Sequence, residues 1–464
     1  MWKYAFISLL IWCSACSHPG RIVGAKPAVL IQPHELTVLF NHREQAGYIS
    51  PISGRWRPGD DLEQALIQAI KSADKEILVA MQEVSLPDVA GALIEARNGG
   101  VEVKVVLENN YSRPWSWESI TTLTSHQRQR RNRLQRLADR DGDGDLTTTE
   151  AASGDAVALL LEAGVPLIDD TADGSRGSGL MHHKFLVIDQ EIVLTGSANT
   201  TSSGIHGDAG AASTRGNVNH LLRLKSKALA QLFRNEFHRL WGDGPGGQND
   251  SRFGLQKQSG PAQSARVGDA KVEVLFAPHS KSNPNHGLNV LEKQLAEAEK
   301  SIDLALFVFS AQQLADVLQE RANDGVKIRL IADPGFASRP FSEVLDLLGV
   351  ALPDQNCRLE RGNRPFQKPL RGVGTPRLAR GDKLHHKFAV VDNKTVITGS
   401  FNWSPAAAHT NDETLLVIHS PKLAAHFTRE MDRLWNNAEL GITPHIQRKL
   451  DRQRIRCGDG VERR

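Results

Sequence analysis

The sequence predicts an α/β fold that is built twice and paired about a pseudo-two-fold axis. Three observations predict it. Strand patterns alternate with amphipathic helix patterns in both halves of the 464-residue chain. One formula, His-x-Lys, four residues, Asp, six residues, Gly-Ser-x-Asn, occurs once in each half. Each half also closes on a shared pattern, with Phe233, Glu236, Arg239 and Trp241 spaced as Phe427, Glu430, Arg433 and Trp435 are. Two copies are too few for a solenoid, so a duplicated domain is the better reading.

The elements follow in order. Leu36-Thr37-Val38-Leu39-Phe40 reads as a strand. Residues 61–73 read as an amphipathic helix with Leu62, Ala65, Leu66 and Ala69 on its apolar face. Residues 76–81 form a strand, 89–97 a helix ended by Gly99-Gly100, and 101–107 a strand. The second half repeats this with a strand at 272–276, a helix at 289–299 and a strand at 301–309. A helix at 311–323, ended at Gly325, and a strand at 326–332 complete it. The domains are therefore 34–241 and 271–440, with a processing segment at 1–16 and a tail at 441–464. The Gly/Ser/Gln-rich stretch 242–270 is a linker and is expected to be exposed.

Composition is that of a soluble globular protein, 40% hydrophobic and 23% charged. The net charge of +3 creates no global field for a polyanion, so any preference for anions must be local. At the N-terminus Lys3 precedes a short apolar run ending at Trp12, too short to span a bilayer, and then Cys13-Ser14-Ala15-Cys16. The small residues before Cys16 resemble a bacterial lipobox, which implies a lipid anchor on Cys16 at the cell envelope. Cys13 departs from the aliphatic residue expected there, and a plain secretory signal cut nearby is the alternative. Either reading exports the protein. No other run is long and apolar enough to cross a membrane. The remaining cysteines, Cys357 and Cys457, either pair in an oxidising compartment or stay as free thiols.

The repeated formula carries the chemistry. Its copies are His182-His183-Lys184-Phe185-Leu186-Val187-Ile188-Asp189 with Gly196-Ser197-Ala198-Asn199, and His385-His386-Lys387-Phe388-Ala389-Val390-Val391-Asp392 with Gly399-Ser400-Phe401-Asn402. On a strand, residues i and i+2 share a face, so His182 points with Lys184 and His385 with Lys387. Ser197 likewise points with Asn199, and Ser400 with Asn402. Asp189 and Asp392 stand at odd spacing and face the other side. Each copy offers an imidazole, an ammonium, a hydroxyl and an amide, without metal-ligand geometry.

This constellation resembles the phospholipase D superfamily, whose signature is the His-Lys-Asp motif. The resemblance covers both copies and their flanking half-domains, so it implies two tandem phospholipase D-like α/β domains with one active site at their interface. It counts His182, Lys184, Asp189, His385, Lys387 and Asp392 as the catalytic set, with Asp189 and Asp392 in structural parts. Ser197, Asn199, Ser400 and Asn402 are implied as phosphate-binding. The family places a carboxylate after the motif to hold a histidine of the opposite lobe. Glu413 fits that place and would support His182, whereas the matching Asn219 supplies no charge, so the two histidines should differ in basicity. His182 is then expected as the nucleophile, forming a phosphohistidine, and His385 as the acid that protonates the leaving oxygen.

Three segments break the internal symmetry. The first half is nine residues longer after its Gly-Ser-x-Asn, within 203–216, which reads as a loose loop or a lip over the site. The insertion at about 111–155 begins with an aromatic loop holding Tyr111, Trp115 and Trp117 and continues with a basic run from Arg128 to Arg136. It ends in Asp139-Arg140-Asp141-Gly142-Asp143-Gly144-Asp145-Leu146-Thr147-Thr148-Thr149-Glu150, which resembles an EF-hand calcium loop. That resemblance implies Asp139, Asp141, Asp143, Asp145 (through its carbonyl) and Glu150 as ligands of a structural Ca2+, with Gly144 at the sharp turn. The second half inserts a basic stretch at 358–383 that runs into His385 and either gathers an anionic substrate or is a solvated face.

The expected activity is phospholipid hydrolysis by a monomer acting at a membrane surface, with no cofactor for catalysis. A metal-independent endonuclease acting on nucleic acid is the alternative. A phosphatidyl transferase and a non-catalytic, calcium-dependent surface protein stand behind it, the last because neither motif is broken.

Overall fold

The chain folds as two mixed sheets, each carrying one copy of the repeated formula at its centre. In this computed structural model, residues 30–175, 177–209, 213–458 and 460–463 are described. The N-terminal processing segment and Cys16 lie outside the described residues. Gln32–Arg464 forms one compact unit that contains both sheets.

The first sheet contains β1 (Leu36–Phe40), β2 (Glu76–Met81), β3 (Glu102–Leu107), β4 (Leu167–Asp169), β5 (Lys184–Ile188), β6 (Ile192–Gly196) and β7 (His220–Lys225). Their order across the sheet is β1-β7-β6-β5-β2-β3-β4. The second contains β8 (Gln263–Val267), β9 (Ala270–Ala277), β10 (Ser301–Leu306), β11 (Lys327–Ala332), β12 (Val373–Pro376), β13 (Lys387–Val391), β14 (Thr395–Gly399), β15 (Glu413–His419) and β16 (Ala438–Leu440). Its order is β8-β9-β15-β14-β13-β10-β11-β12-β16. Removing the edge strands β8 and β16 leaves two identical topologies. In each, β2/β3/β4 or β10/β11/β12 run parallel, and the motif strands pair antiparallel to them.

Burial explains the patterning. β2, β5 and β13 are buried along their whole length, as strands covered on both faces must be. The helices Lys227–Trp241 and Pro421–Asn436 lie in the core that both sheets share. Phe233 and Phe237 pack there with Phe427 and Met431, and with Phe185 and Phe388 from the motif strands. Ser226 and Ser420 start these helices by accepting from Leu229 N and Leu423 N. Each sheet has its own outer core: Leu66, Leu93 and Leu160 on the first, Leu291, Leu314 and Leu345 on the second.

One expectation needs correction. The linker is not a free exposed tether. Phe253, Gly254 and Lys257 are buried within it, and residues 263–267 form β8, so its sparse apolar residues are enough to dock it. The tail is likewise structured, as the helix Pro444–Cys457, with Ile446 in the second outer core and Cys457 bonded to Cys357. The segment at 203–216 begins as a short helix, Ser202–Ile205, and its later residues are tied to both lobes. Gly216 O accepts from His42 Nε2 at 2.9 Å, and Arg215 N donates to Asp382 at 2.8 Å. The aromatic and basic runs mostly pack together: Trp115 is buried against Leu134 and Ala138, with Arg131 over its ring.

Candidate active site

The start of each motif strand is stitched through its backbone to the segment that leads into β15 or β7 of the other lobe. His182 N donates to Asp412 O at 2.9 Å, and His385 N donates to Val218 O at 3.0 Å. Met181 bridges Asp412, and Val218 bridges Leu384. Each histidine is thus placed beside the residue after the other lobe's motif. His182 Nδ1 lies 2.7 Å from Glu413 Oε2, and His385 Nδ1 lies 3.0 Å from Asn219 Oδ1.

The tautomers follow from the partners. Asn219 Nδ2 donates to the carbonyls of Gly204 and Asn217, at 2.8 and 3.3 Å, which turns Oδ1 toward His385. His385 Nδ1 also lies 3.0 Å from Ser197 O, a second acceptor, so its proton sits on Nδ1. His182 carries its proton on Nδ1 for the same reason, toward Glu413. Both Nε2 atoms are left to the site, but not equally. Lys387 Nζ lies against the His385 ring, 3.1 Å from Nε2 and 3.2 Å from Nδ1, and donates to His385 O at 2.8 Å. Lys184 Nζ instead donates to His182 O at 2.8 Å and to Gln82 Oε1 at 3.2 Å. Phe307 replaces Gln82 in the second lobe, and Lys387 Nζ sits 5.2 Å from its ring centroid.

Burial dominates the electrostatics. It holds both imidazoles well below their usual range, and Lys184 and Lys387 push in the same direction. Burial brings the Lys184 ammonium down to about 7 and Lys387 lower than its ordinary range, where Lys184 adds to the effect. The Glu413 carboxyl is pushed up to about 7 by burial, against Lys184 and the hydrogen bonds from Ser400 and Asn411. Two ammoniums and two imidazoles crowded into one buried space favour an anion entering between them. Asn199 and Asn402 each bury an Oδ1 that has no partner; that oxygen only accepts, so their Nδ2 groups are what could donate to an anion.

Four expected site residues have other work. The carboxylate of Asp189 accepts from the backbone N–H groups of Asp74, Lys75 and Glu76 at 2.7–3.0 Å. Asp392 does the same for Glu299, Lys300 and Ser301, at 2.7–2.9 Å. These two are removed from the catalytic set: they fasten the turn after the motif strand to the start of β2 or β10. Ser197 and Ser400 are removed from the phosphate-binding set. Both are fully buried, and their hydroxyls donate to Asn219 Oδ1 at 2.8 Å and Glu413 Oε2 at 2.6 Å. The glycines before them allow this. A Cβ on Gly196 would fall 2.3 Å from His220 O, and one on Gly399 2.2 Å from Thr414 O.

Sequence reasoning missed a layer behind the site. His183 joins Thr414 Oγ1 at 2.9 Å to Glu236 Oε1 at 3.2 Å. Glu236 is bound by Lys257, which also lies 2.7 Å from Asp412 Oδ1 and donates to Ala277 O at 2.9 Å. Burial opposes the charge on Glu236, yet Lys257 and His183 hold its carboxyl down to about 2. In the other lobe His386 lies 3.0 Å from His220 and 3.1 Å from Glu430, which Arg433 grips with two hydrogen bonds. The signal was the second histidine of each motif together with the repeated Glu236/Arg239 and Glu430/Arg433 pairs. Lys257, in a presumed tether, had no signal at all.

The acidic loop brings oxygens of Asp139, Asp141 and Asp143 within 4.8 Å of one another, a spacing that a cation can bridge. Gly142 and Gly144 have φ of 74° and 89°, and Gly144 N donates to Asp139 at 3.1 Å. Asp145 and Glu150 stand outside this group. Glu150 accepts from Thr147 N and Oγ1, at 3.0 and 2.8 Å, as a helix cap.

Known proteins resemble this chain in sequence and in fold. Residues 66–241 and 291–435 match the family described as cardiolipin synthase, PLD-like domain. A mitochondrial cardiolipin hydrolase of Chlamydomonas reinhardtii is 26% identical over 199 residues, which are 39% of this chain and 80% of that one. The mouse protein of the same name is 32% identical over 162 residues, covering 34% of this chain and 60% of its own length. A phospholipase D of Rickettsia felis is 27% identical over 158 residues, 34% of this chain and 66% of its own. In fold, the phosphatidylserine synthase of Haemophilus influenzae superposes with a TM-score of 0.52 at 12% identity, over 89% of this chain and 88% of that one.

Proposed function

The chain belongs to the phospholipase D superfamily and is a phosphodiesterase of that kind, and from this premise we propose that it hydrolyses phospholipid through a phosphohistidine on His182. The observation that carries the assignment is the unequal treatment of the two Nε2 atoms. His182 has a carboxyl group on its remote nitrogen, and Lys184 is turned to Gln82 and the backbone. His385 has only an amide behind it and an ammonium against its ring, 3.1 Å from Nε2 and 3.2 Å from Nδ1. His182 Nε2 attacks phosphorus, and Glu413 stabilises the cationic ring that results. Lys387 turns from the ring to a phosphoryl oxygen, joined by Lys184, Asn199 and Asn402. Once the anionic diester is bound, His385 takes up a proton from solvent on Nε2 and gives it to the leaving alcohol oxygen; the same atom then takes a proton from the water that cleaves the N–P bond and frees His182.

Phospholipid as substrate is supported by the names of the relatives and by the expected export. The Cys357–Cys457 disulfide also suits an oxidising compartment. No metal takes part in these steps. A Ca2+ on Asp139, Asp141 and Asp143 would brace the insertion, with Asp145 and Glu150 joining once Glu150 leaves its cap. The protein acts as an exported monomer, anchored through Cys16. One observation favours the nuclease reading. Phe307 and Phe336 lie 4.6 Å apart beside His385, with Lys383 5.7 Å from the first ring and Arg339 6.0 Å from the second, a combination that can stack a base next to its phosphate.

The test is incubation with cardiolipin or phosphatidylcholine vesicles and, separately, with single- and double-stranded DNA, each with and without EDTA. Release of phosphatidic acid or head group, unaffected by EDTA, is expected. Cleavage of DNA alone would move the assignment to the nuclease.

A further inference from the structure

The hairpin formed by Gly47–Ile49 and Trp56–Pro58 has two faces of opposite character. Its register sets Tyr48 against Arg57 and Ile49 against Trp56. The first pair points inward and is tied down. Tyr48 Oη lies 2.7 Å from His206 Nδ1, and His206 Nε2 lies 2.6 Å from Glu63 Oε2. Arg57 is buried and donates to the Thr214 carbonyl. The second pair points outward, Ile49 61% exposed and Trp56 64%. The solvated face of an antiparallel pair ordinarily carries polar side chains. Here it presents an aliphatic group and an indole, held out by a pinned scaffold. The indole lies across Gly47, where a Cβ would fall 2.5 Å from Trp56 Cζ2.

Cations stand behind this apolar tip. Arg55 is exposed on the turn, and Arg215 is half-buried, its Nε itself buried and without a partner. Arg57 and Arg433 are close enough to Arg215 to repel it, while Asp382 and Glu44 offset part of that charge. Apolar side chains in front and guanidiniums behind complement a bilayer with anionic head groups, where tryptophan favours the interface and arginine the phosphates. The hairpin is also mechanically close to the chemistry. The segment it holds through Thr214 runs on through Arg215, hydrogen-bonded to Asp382 of the other lobe, to Asn219, which orients His385.

We propose that this hairpin is a membrane-docking foot that seats the active site on an anionic phospholipid surface. Ile49 and Trp56 enter the boundary between head groups and acyl chains, and Arg55 and Arg215 face lipid phosphates. The inference rests on the phospholipid reading of the same site.

The experiment uses the full chain with vesicles of brominated phosphatidylglycerol or brominated phosphatidylcholine and reads quenching of tryptophan emission. Quenching is expected on the anionic vesicles, and Trp56→Ser should remove most of it. Ile49→Ser should weaken vesicle binding about tenfold. Arg215→Gln should reduce the preference for anionic over neutral vesicles. Hydrolysis of the water-soluble diester bis(p-nitrophenyl) phosphate, which needs no interface, should be unchanged in Ile49→Ser and Trp56→Ser and shows that both fold. Equal quenching in Trp56→Ser, or equal binding in Ile49→Ser, overturns the foot and leaves the hairpin as a surface for a protein partner. If the wild-type protein hydrolyses neither lipid nor the soluble diester, the enzymatic reading falls by itself. The quenching arm, which needs no turnover, still decides the foot.

Discussion

Glu413 of the second lobe holds His182 of the first, Oε2 to Nδ1 at 2.7 Å, while its counterpart Asn219 holds His385 at 3.0 Å. The two halves therefore reach into each other, and only one of them supplies a carboxyl group. This asymmetry predicts unequal histidines. Glu413→Gln should lower kcat about 10²- to 10³-fold, since it keeps the geometry and loses the charge. Rapid quenching and peptide mapping should find the phosphoryl adduct on the His182 peptide. An adduct confined to the His385 peptide reverses the roles, and an adduct on neither leaves direct attack by water.

The same carboxyl should show in the pH dependence of stability. Burial raises it from 4.5 to about 7 in the folded protein. Below about 4.5 it is protonated in both states and its stabilising contribution is complete. Between 4.5 and 7 the unfolded chain releases the proton first, so stability falls as pH rises, and above 7 that contribution is gone. Glu413→Gln lacks this loss. It should gain on the wild type by on the order of 1–3 kcal/mol between pH 4.5 and 7.5 in urea titrations. A variant that loses ground as pH rises would show instead that Glu413 is ionised against a cationic His182.

Lys257 is expected to be the most sensitive position outside the motifs. Lys257→Met leaves Asp412 buried without its cation and Glu236 with only Arg239, 3.6 Å away, and should cost about 3–5 kcal/mol. Adding Glu236→Gln and Asp412→Asn should recover much of that loss. A single variant with an unchanged melting temperature would contradict the buried triad.

Calcium should raise the melting temperature by binding to the native state, and Asp139→Ala should abolish the shift. Activity at low temperature should survive both the substitution and EDTA. An undiminished shift in Asp139→Ala would show that calcium binds elsewhere.

Cys457→Ser releases a loop of 100 residues. Chain entropy sets the destabilisation at up to about 4.7 kcal/mol, readable in thermal melts. Turnover at low temperature should persist, because the disulfide fastens the helix Pro444–Cys457 and touches neither histidine. Equal melting temperatures for the oxidised wild type and the variant would show that the bond contributes nothing.

Much of this was legible in the sequence, for a physical reason. β1 falls where alternating burial puts it and β2 where a continuous apolar run does, and the duplicated formula shows which residues face the site. Periodicity also turned Asp189 and Asp392 away from it. What it does not carry is partnership over distance. Ser197 and Ser400 share a face with Asn199 and Asn402, yet their hydroxyls are captured by strands that come later in the chain. Lys257 sits among glycines, serines and glutamines, and only the folded chain reveals the two carboxylates waiting for it. Gln82 and Phe307 end ordinary strands, and their difference matters only because a lysine lies beside each.

The reciprocal stitches, His182 to Asp412 and His385 to Val218, also constrain motion. A hinge that parted the lobes would break both at once and strip each histidine of its support. The catalytic chamber therefore cannot open like a clam between turnovers. Substrate and product then exchange while the lobes stay joined. A diester carried at the end of a chain or at the face of a sheet of lipid meets that restriction more easily than one in the middle of a long polymer.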